Sequence, residues 1–376
     1  MSVEIRTLQP VKSQLRQFVK FGIEHYRGND SFVPPLIFDE IETLQPEANP
    51  AFDYCRACCF MAYRDGRAVG RIAAIVNDKV NERTGRREAR FGFVDFIDNS
   101  EVSQALFDAA EDWARSQGMT EIIGPMGFTD MDHEGMLVEG FARMGTMATI
   151  YNHPWYPAHL ERLGYVKDVD WVEYRVKVPE SVPEKYQRIA DMVSRRYGLR
   201  SIKFTSRKKL SRQYGHALFE LINRAYDDLY GYSPLSRRQI DYYIDKYLSV
   251  VRLDCISIIV DAEDRLVAFG ISIPSLSKAL RRGGGKLLPT GWWHLLRGIY
   301  GRNDVVDLML IAVAPHLKGR GVNAMIFADL IPVFNRHGYR WAESNLELEG
   351  NDNVRLQWQY FEYEQHRRRR AYRRQL

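Results

Sequence analysis

The chain has 376 residues, 53 basic and 48 acidic, for a formal net charge of +5. Six arginines between Arg367 and Arg374 account for the excess; without them the balance is 47 to 48, or −1, so the body lacks the broad basic surface of a nucleic-acid binder. No window approaches the ~20 apolar residues of a membrane span, the opening MSVEIRTLQPVK holds no signal-peptide apolar core, and Cys55, Cys58, Cys59 and Cys255 suit buried thiols in a reducing cytoplasm.

In chain order, residues 11–25 have the apolar spacing of an amphipathic helix, and a loop over 26–35 runs into 36–44. Residues 60–63, the Asp65-Gly66 turn and 68–77 predict a hairpin, because Asp-Gly suits the positive φ of a tight β-turn. Residues 91–97 read as a strand and 101–117 as a helix. Ile122-Ile123 is a strand stopped by Gly124-Pro125, a glycine-rich loop runs to about 141, and 157–163 is a short helix ending at Gly164-Tyr165. An extended run over 171–178 meets a Pro-bearing segment at 178–183. There we place the boundary between two domains, 1–180 and 181–376, each long enough for its own core. The second opens with helices over 184–197, 210–230 and 237–248, then strands over 255–261 and 266–274.

The most informative stretch is 305–323, VVDLMLIAVAPHLKGRGVN. An apolar strand reaches Pro315, which cannot continue a ladder. Lys318-Gly319-Arg320-Gly321-Val322-Asn323 follows, and Ala324 opens a helix. Strand, glycine turn and helix offer an anion both backbone N–H groups and the positive end of the helix dipole; the same glycines would also serve a plain tight turn. Gly-x-x-x-x-Gly-Lys-Ser/Thr is absent, and so is the third glycine of a dinucleotide fingerprint. The hexapeptide resembles motif A of the GNAT acyltransferases, Gln/Arg-x-x-Gly-x-Gly/Ala, with Lys318 for the first residue and Asn323 for the last small one.

The two halves repeat. Gly118 and Gly338 each follow a helix, and 338 − 118 sets an offset of 220. At that offset Val102 falls on Val322, Leu106 on Ile326, Phe107 on Phe327, Ala110 on Leu330 and Trp113 on Val333, apolar positions in helical phase. The copies differ at the turn. The first has Asp98-Asn99-Ser100-Glu101, where carboxylates would repel a pyrophosphate and Asp98, Asn99 or Ser100 is the expected N-cap. The expected fold is therefore α/β with a mixed sheet: two tandem GNAT-like domains, the first with a degenerate cofactor loop. This resemblance covers nearly the whole chain.

The resemblance implies acyl-CoA as co-substrate, its pyrophosphate on Lys318 to Asn323 and its thioester carbonyl polarised by a backbone N–H among Ala312, Val313 and Ala314. Residues 340–348 alternate polar and apolar, which would set Glu343, Asn345, Glu347 and Glu349 on one strand face. Glu347 is the first choice for the base and Glu343 the second, with Asp307 weaker; a solvated outer face has the same pattern. Asn351, or Asn353, opens an expected final helix and is implied in pantetheine binding, or simply caps. Tyr360, followed by Tyr363, is the implied acid for the thiolate, unless both are core aromatics. The polar loop Asp130 to Gly135 offers His133 and Glu134 to an acceptor pocket, or is a plain surface loop. No metal is expected, since Cys55-x-x-Cys58-Cys59 has no second Cys/His pair.

The insertion 275–303, SLSKALRRGGGKLLPTGWWHLLRGIYGRN, sets Trp292 and Trp293 beside Arg297 and other cations, a composition for a membrane interface or for a helix over a substrate channel. The arginine tail would add attraction to anionic lipid, or be a solvated terminus. This organisation resembles a branch that includes ceramide-synthase-like N-acyltransferases. The expected function is acyl-CoA-dependent N-acylation, with acetyl-CoA or a long-chain acyl-CoA, of a small-molecule or lipid amine such as a sphingoid base. No nucleic-acid partner is expected, and the location is cytoplasmic, peripheral on the inner membrane face. The alternative is a non-catalytic GNAT-fold protein that binds acyl-CoA or a membrane surface.

Overall fold

The computed structural model describes residues 2–248, 251–351 and 356–376. The chain divides into two compact units: unit 1 is Met1–Val172, Ser277–Leu295 and His366–Leu376, and unit 2 is Glu173–Leu276 and Leu296–Gln365. The expected contiguous division at 180 therefore fails in two places, because part of the insertion and the C-terminus fold into unit 1.

Unit 1 carries strands β1 (Glu4–Leu8), β2 (Cys55–Arg64), β3 (Arg67–Asn77), β4 (Glu88–Phe96), β5 (Glu121–Gly124) and β6 (Met136–Glu139). Its helices are α1 (Lys12–His25), α2 (Ile37–Leu44), α3 (Asp78–Thr84), α4 (Ser100–Ser116), α5 (Tyr156–Arg162) and α9 (Ser277–Gly283). The order β1-β2-β3-β4-β5 is antiparallel except for β4 and β5, which run parallel. Asp65 (φ 52°) and Gly66 (φ 73°) turn the β2–β3 hairpin as the Asp-Gly pair requires.

Unit 2 repeats this plan with α6 (Glu184–Tyr197), β8 (Arg200–Ile202), α7 (Arg207–Ala225), α8 (Arg237–Tyr243), β9 (Ile256–Val260), β10 (Leu266–Pro274), β11 (Val305–Val313), α11 (Val322–His337), β12 (Trp341–Glu343) and β13 (Glu347–Leu348). Its order β8-β9-β10-β11-β12 is again antiparallel until a parallel last pair, β11 and β12. Three elements cross the division in sequence: β7 (Val166–Lys177), α10 (Gly291–Tyr300) and β14 (Tyr363–Gln375).

The repeat shows in packing. Val102, Leu106, Phe107 and Ala110 of α4 and Val322, Ile326, Phe327 and Leu330 of α11 are all buried. Beneath each helix lies a strand glycine: a Cβ on Gly70 of β3 would come within 2.5 Å of Leu106, and one on Gly270 of β10 within 2.6 Å of Ile326. Each helix thus seats a large aliphatic side chain directly on backbone, a close approach only glycine permits.

The sixth strand of each unit comes from outside its contiguous half. In unit 2 it is Arg175–Lys177 of β7, antiparallel to β12. In unit 1 it is β14, whose Tyr372 to Gln375 pair with β5. The arginine tail is accordingly a paired strand and not a solvated terminus. Arg367 and Arg369 are buried and donate to the carbonyls of Met144 and Ile150. Arg370 grips Asp170 at 2.8 and 3.0 Å, Arg373 reaches Asp168 at 2.7 Å and Glu88 at 2.9 Å, and Arg374 reaches Glu111 at 2.8 Å. Those guanidiniums leave water only because carboxylates and carbonyls meet them.

Candidate active site

The 318–323 turn lies between a short 3-10 turn at Pro315–Leu317 and α11. Gly319 (φ 74°) and Gly321 (φ 81°) are both left-handed, a conformation that costs an L side chain roughly 1–2 kcal/mol. Gly321 is the N-cap of α11, and no side chain caps that end. The helix keeps donors for an external anion where most helices spend them on a Ser, Asp or Asn. A Cβ at Gly321 would sit 2.8 Å from Ile189 of α6, so the turn is pressed between its neighbours. Lys318 and Arg320 are exposed beside it, Arg320 donating to the Tyr197 hydroxyl at 3.3 Å. Val322 is buried, and the Asn323 amide reaches Gln357 at 3.4 Å.

The strand leading in opens a gap. β11 and β12 pair only through Val305–Trp341, Val306–Ala342 and Asp307–Glu343. Beyond Asp307 the edge of β11 carries side chains instead of a strand: Asn345 Nδ2 donates to the Met309 carbonyl at 3.1 Å and the Tyr226 hydroxyl to Ile311 at 2.8 Å. In a strand, residues of one parity aim both backbone groups at the same edge, so Met309, Ile311 and Val313 face this gap. Ala312 faces β10, opposite Phe269. The Ala314 N–H donates to Val267 and its carbonyl accepts from Leu317, both at 2.8 Å. Of the three expected carbonyl-polarising residues, Val313 is the one whose N–H is aimed at the gap.

Glu347 stands on β13 with its carboxylate under Trp358, whose indole N–H is shared between the two oxygens at 3.1 and 3.2 Å. Burial raises its pKa to about 8, opposed only by that hydrogen bond. Trp358 is fixed by aromatic neighbours, Phe327 of α11 at 5.6 Å and Tyr174 at 6.4 Å between ring centroids. The carboxylate is therefore braced against the helix that begins at the glycine turn.

The expected single strand over 340–348 is broken between β12 and β13, so its carboxylates do not share one face. Glu343 forms an ion pair with Arg175 at 3.5 Å, which occupies it. Asp307, opposite it in register, is buried. The expected final helix is also corrected: Leu356–Tyr360 is a 3-10 turn and Tyr363 begins β14. Asn351 lies before that turn, its N–H donating to Leu348 at 2.9 Å, while Asn353 lies outside the described residues. The Tyr360 hydroxyl accepts from Lys185 Nζ at 2.5 Å, which leaves its own proton to give away. Trp358 and Lys185 escaped the sequence reading, because an indole and a lysine have no motif spacing here; only their contacts single them out.

Two curated relatives are similar to this chain. Protein YghO of Escherichia coli (strain K12) is 31% identical over 288 residues, 76% of this chain and 72% of that protein. The Bacterial ceramide synthase of Caulobacter vibrioides is 31% identical over 294 residues, 76% of this chain and 74% of that protein. Among solved structures, the tandem GNAT protein from the clavulanic acid biosynthesis pathway matches 100% of this chain and 98% of its own, with a TM-score of 0.58 at 14% identity. No protein-family profile matches. The chain belongs to the family of these two relatives and has the fold of a tandem GNAT acyltransferase.

Within this GNAT fold the first copy has lost its anion turn. Asn99 caps α4, its side chain accepting from the N–H of Glu101 at 3.1 Å and of Val102 at 3.2 Å. His133 and Glu134 lie in unit 1; His133 is exposed and bonds the Met147 carbonyl at 3.0 Å, while burial and the neighbouring Asp130 hold the Glu134 carboxyl well above its usual range. Trp292, Trp293 and Arg297 are exposed on α10. Burial lifts the thiols of Cys55 and Cys59 to about 12 and that of Cys58 to about 11, so they are inert.

Proposed function

We propose that unit 2 transfers an acyl group from acyl-CoA to a primary amine. The observation that carries this is a half-buried carboxyl with a pKa of about 8, Glu347, held beside a strand gap whose other end is an uncapped, cation-flanked helix start. The turn from Lys318 to Asn323 fits a pyrophosphate, with Gly319 and Gly321 letting backbone N–H groups approach it. Val313 N–H is aimed to receive the charge that develops on the thioester oxygen. Glu347 takes a proton from the amine, nitrogen forms the amide bond, and the carbon–sulfur bond breaks. The leaving sulfur takes the Tyr360 proton, with Lys185 supporting the charge left on the phenol oxygen.

The test is the pH profile of kcat/KM with acyl-CoA and an amine. Activity should rise through an apparent pKa near 8 and fall by a factor of about 10²–10⁴ in Glu347→Gln, the usual worth of a general base. A profile and rate unchanged in Glu347→Gln would remove it from the chemistry. The competing reading, a GNAT-fold protein that binds acyl-CoA without turnover, draws on Asn323 standing where a small residue is usual; it requires saturable acyl-CoA binding and no product with any amine.

The finer reading is a long-chain acyl donor, a lipid amine of the sphingoid type and work at a membrane surface. A relative named Bacterial ceramide synthase supports it, as do Trp292 (47% exposed) and Trp293 (55% exposed) on α10. No helix among the described residues is long and apolar enough to cross a membrane, so contact by α10 would be peripheral.

A further inference from the structure

Unit 1 lost the glycine turn but kept the gap. β4 and β5 pair only through Glu88–Glu121, Ala89–Ile122 and Arg90–Ile123, as β11 and β12 do in unit 2. Past that point β4 bulges: the register with β3 jumps from Arg71–Asp95 to Ala73–Gly92. β11 shows the corresponding irregularity against β10, between Ile271–Leu310 and Ser272–Leu308. At the unit 1 bulge Phe93 is held at φ 49°, a left-handed conformation that a bulky side chain adopts only when its surroundings impose it. Bulges of this kind re-aim side chains and gather at binding sites.

Here the bulge borders a cavity of about 70 Å³, space for a group of a few heavy atoms. Its charged walls are Asp95, Glu40 and Arg71, together with His133. Asp95 and Glu40 are both buried and both bound to the buried Arg71, at 2.7 and 2.9 Å. One guanidinium faces two carboxylates, and it also donates to the Phe18 carbonyl. The Tyr26 hydroxyl donates to Asp95 at 2.5 Å and lies 3.3 Å from the Tyr156 hydroxyl. Burial pushes His25 and His153 behind them down, which disfavours their charged forms. Tyr26 packs on Phe32 at 4.5 Å and edge-on against Tyr151 at 5.5 Å, giving an aromatic wall. Among the wall residues His133 alone is exposed.

We infer that this unit 1 cavity is a binding site for a small organic ammonium group. An excess of carboxylate beside aromatic faces is the surround that recognises such a cation, through charge and the ring quadrupole together. The gap that faces the thioester in the proposed unit 2 chemistry would, in unit 1, face a cation instead. The inference stands apart from the acyl-transfer reading, since none of its residues belongs to unit 2.

The experiment is calorimetric titration of the full chain with ethanolamine, with ethylene glycol as the neutral counterpart. Saturable binding of ethanolamine alone is expected, weakened at least tenfold by Asp95→Asn and unchanged by Glu347→Gln. Should Asp95→Asn fail to fold, Tyr26→Phe keeps the Arg71–Asp95 pair and should weaken binding two- to fivefold. No saturable binding, equal binding of ethylene glycol, or binding indifferent to both unit 1 variants would overturn it. Binding lost in Glu347→Gln but kept in the unit 1 variants would overturn it too, by assigning the amine to unit 2.

Discussion

At Glu347 burial serves the proposed chemistry and weakens the fold. Its carboxyl rises from the usual value near 4.5 to about 8 in the native state. Between those values the native chain holds a proton that the unfolded chain has released, so stability falls as pH rises through that window. Glu347→Gln should therefore raise Tm more at pH 8.5 than at pH 4.5, while removing turnover; a Tm difference independent of pH would contradict the raised carboxyl. Trp358 acts the other way, since its N–H favours the charged form. Trp358→Phe should move the rising limb of the pH–rate profile to higher pH, with little change in KM for acyl-CoA. The carboxylates of 343–349 were legible in the sequence as candidates. What distinguishes them was not: Glu343 meets Arg175 from a distant segment, and Glu347 meets Trp358 across a turn, partners that packing sets and no spacing announces.

Glycine marks the elements that position the site. Gly321→Ala would force an alanine to φ 81° and press its Cβ against Ile189. We expect a loss of about 1–2 kcal/mol in stability and at least tenfold in acyl-CoA affinity, measured by denaturant unfolding and titration. Gly270→Ala places a methyl where Ile326 of α11 already lies, an overpacking cost of about 1–3 kcal/mol visible as a lower Tm. The motif A strand, turn and helix could be read from sequence because apolar run, glycine pair and helical phase are all local. β14 could not. Its burial alternates at Arg367, Arg369 and Ala371, but the inward residues are mostly arginines, which sequence patterning assigns to solvent. Only the acceptors from distant segments, Met144, Ile150 and Asp170 among them, make that strand possible.

Across the whole molecule, the offset of 220 between Gly118 and Gly338 announces two copies of one fold, and the strand orders of the two units repeat accordingly. The division between them was not legible as a single cut, because strand exchange and the insertion are long-range events with no local signature. With the β14 arginines held by carboxylates and carbonyls, the proposed membrane contact draws on the insertion alone. Residues 275–303 carry Lys278, Arg281, Arg282, Lys286, Arg297 and Arg302 and no acidic residue. Trp292, Trp293, Leu296, Arg297 and Tyr300 are all exposed on α10 at spacings of one helical face. Flotation with vesicles containing anionic lipid should be lost in the Trp292→Ala, Trp293→Ala double variant; undiminished flotation would rule out α10 as the membrane contact.

The most direct test of the central claim is calorimetric titration with acetyl-CoA and with palmitoyl-CoA, on the native protein and on Gly321→Glu. An acyl-CoA site at the 318–323 turn predicts saturable binding, abolished when a carboxylate replaces that glycine, and tighter binding of palmitoyl-CoA if the donor is long-chain. Binding of neither thioester, or equal binding by the variant, would contradict it.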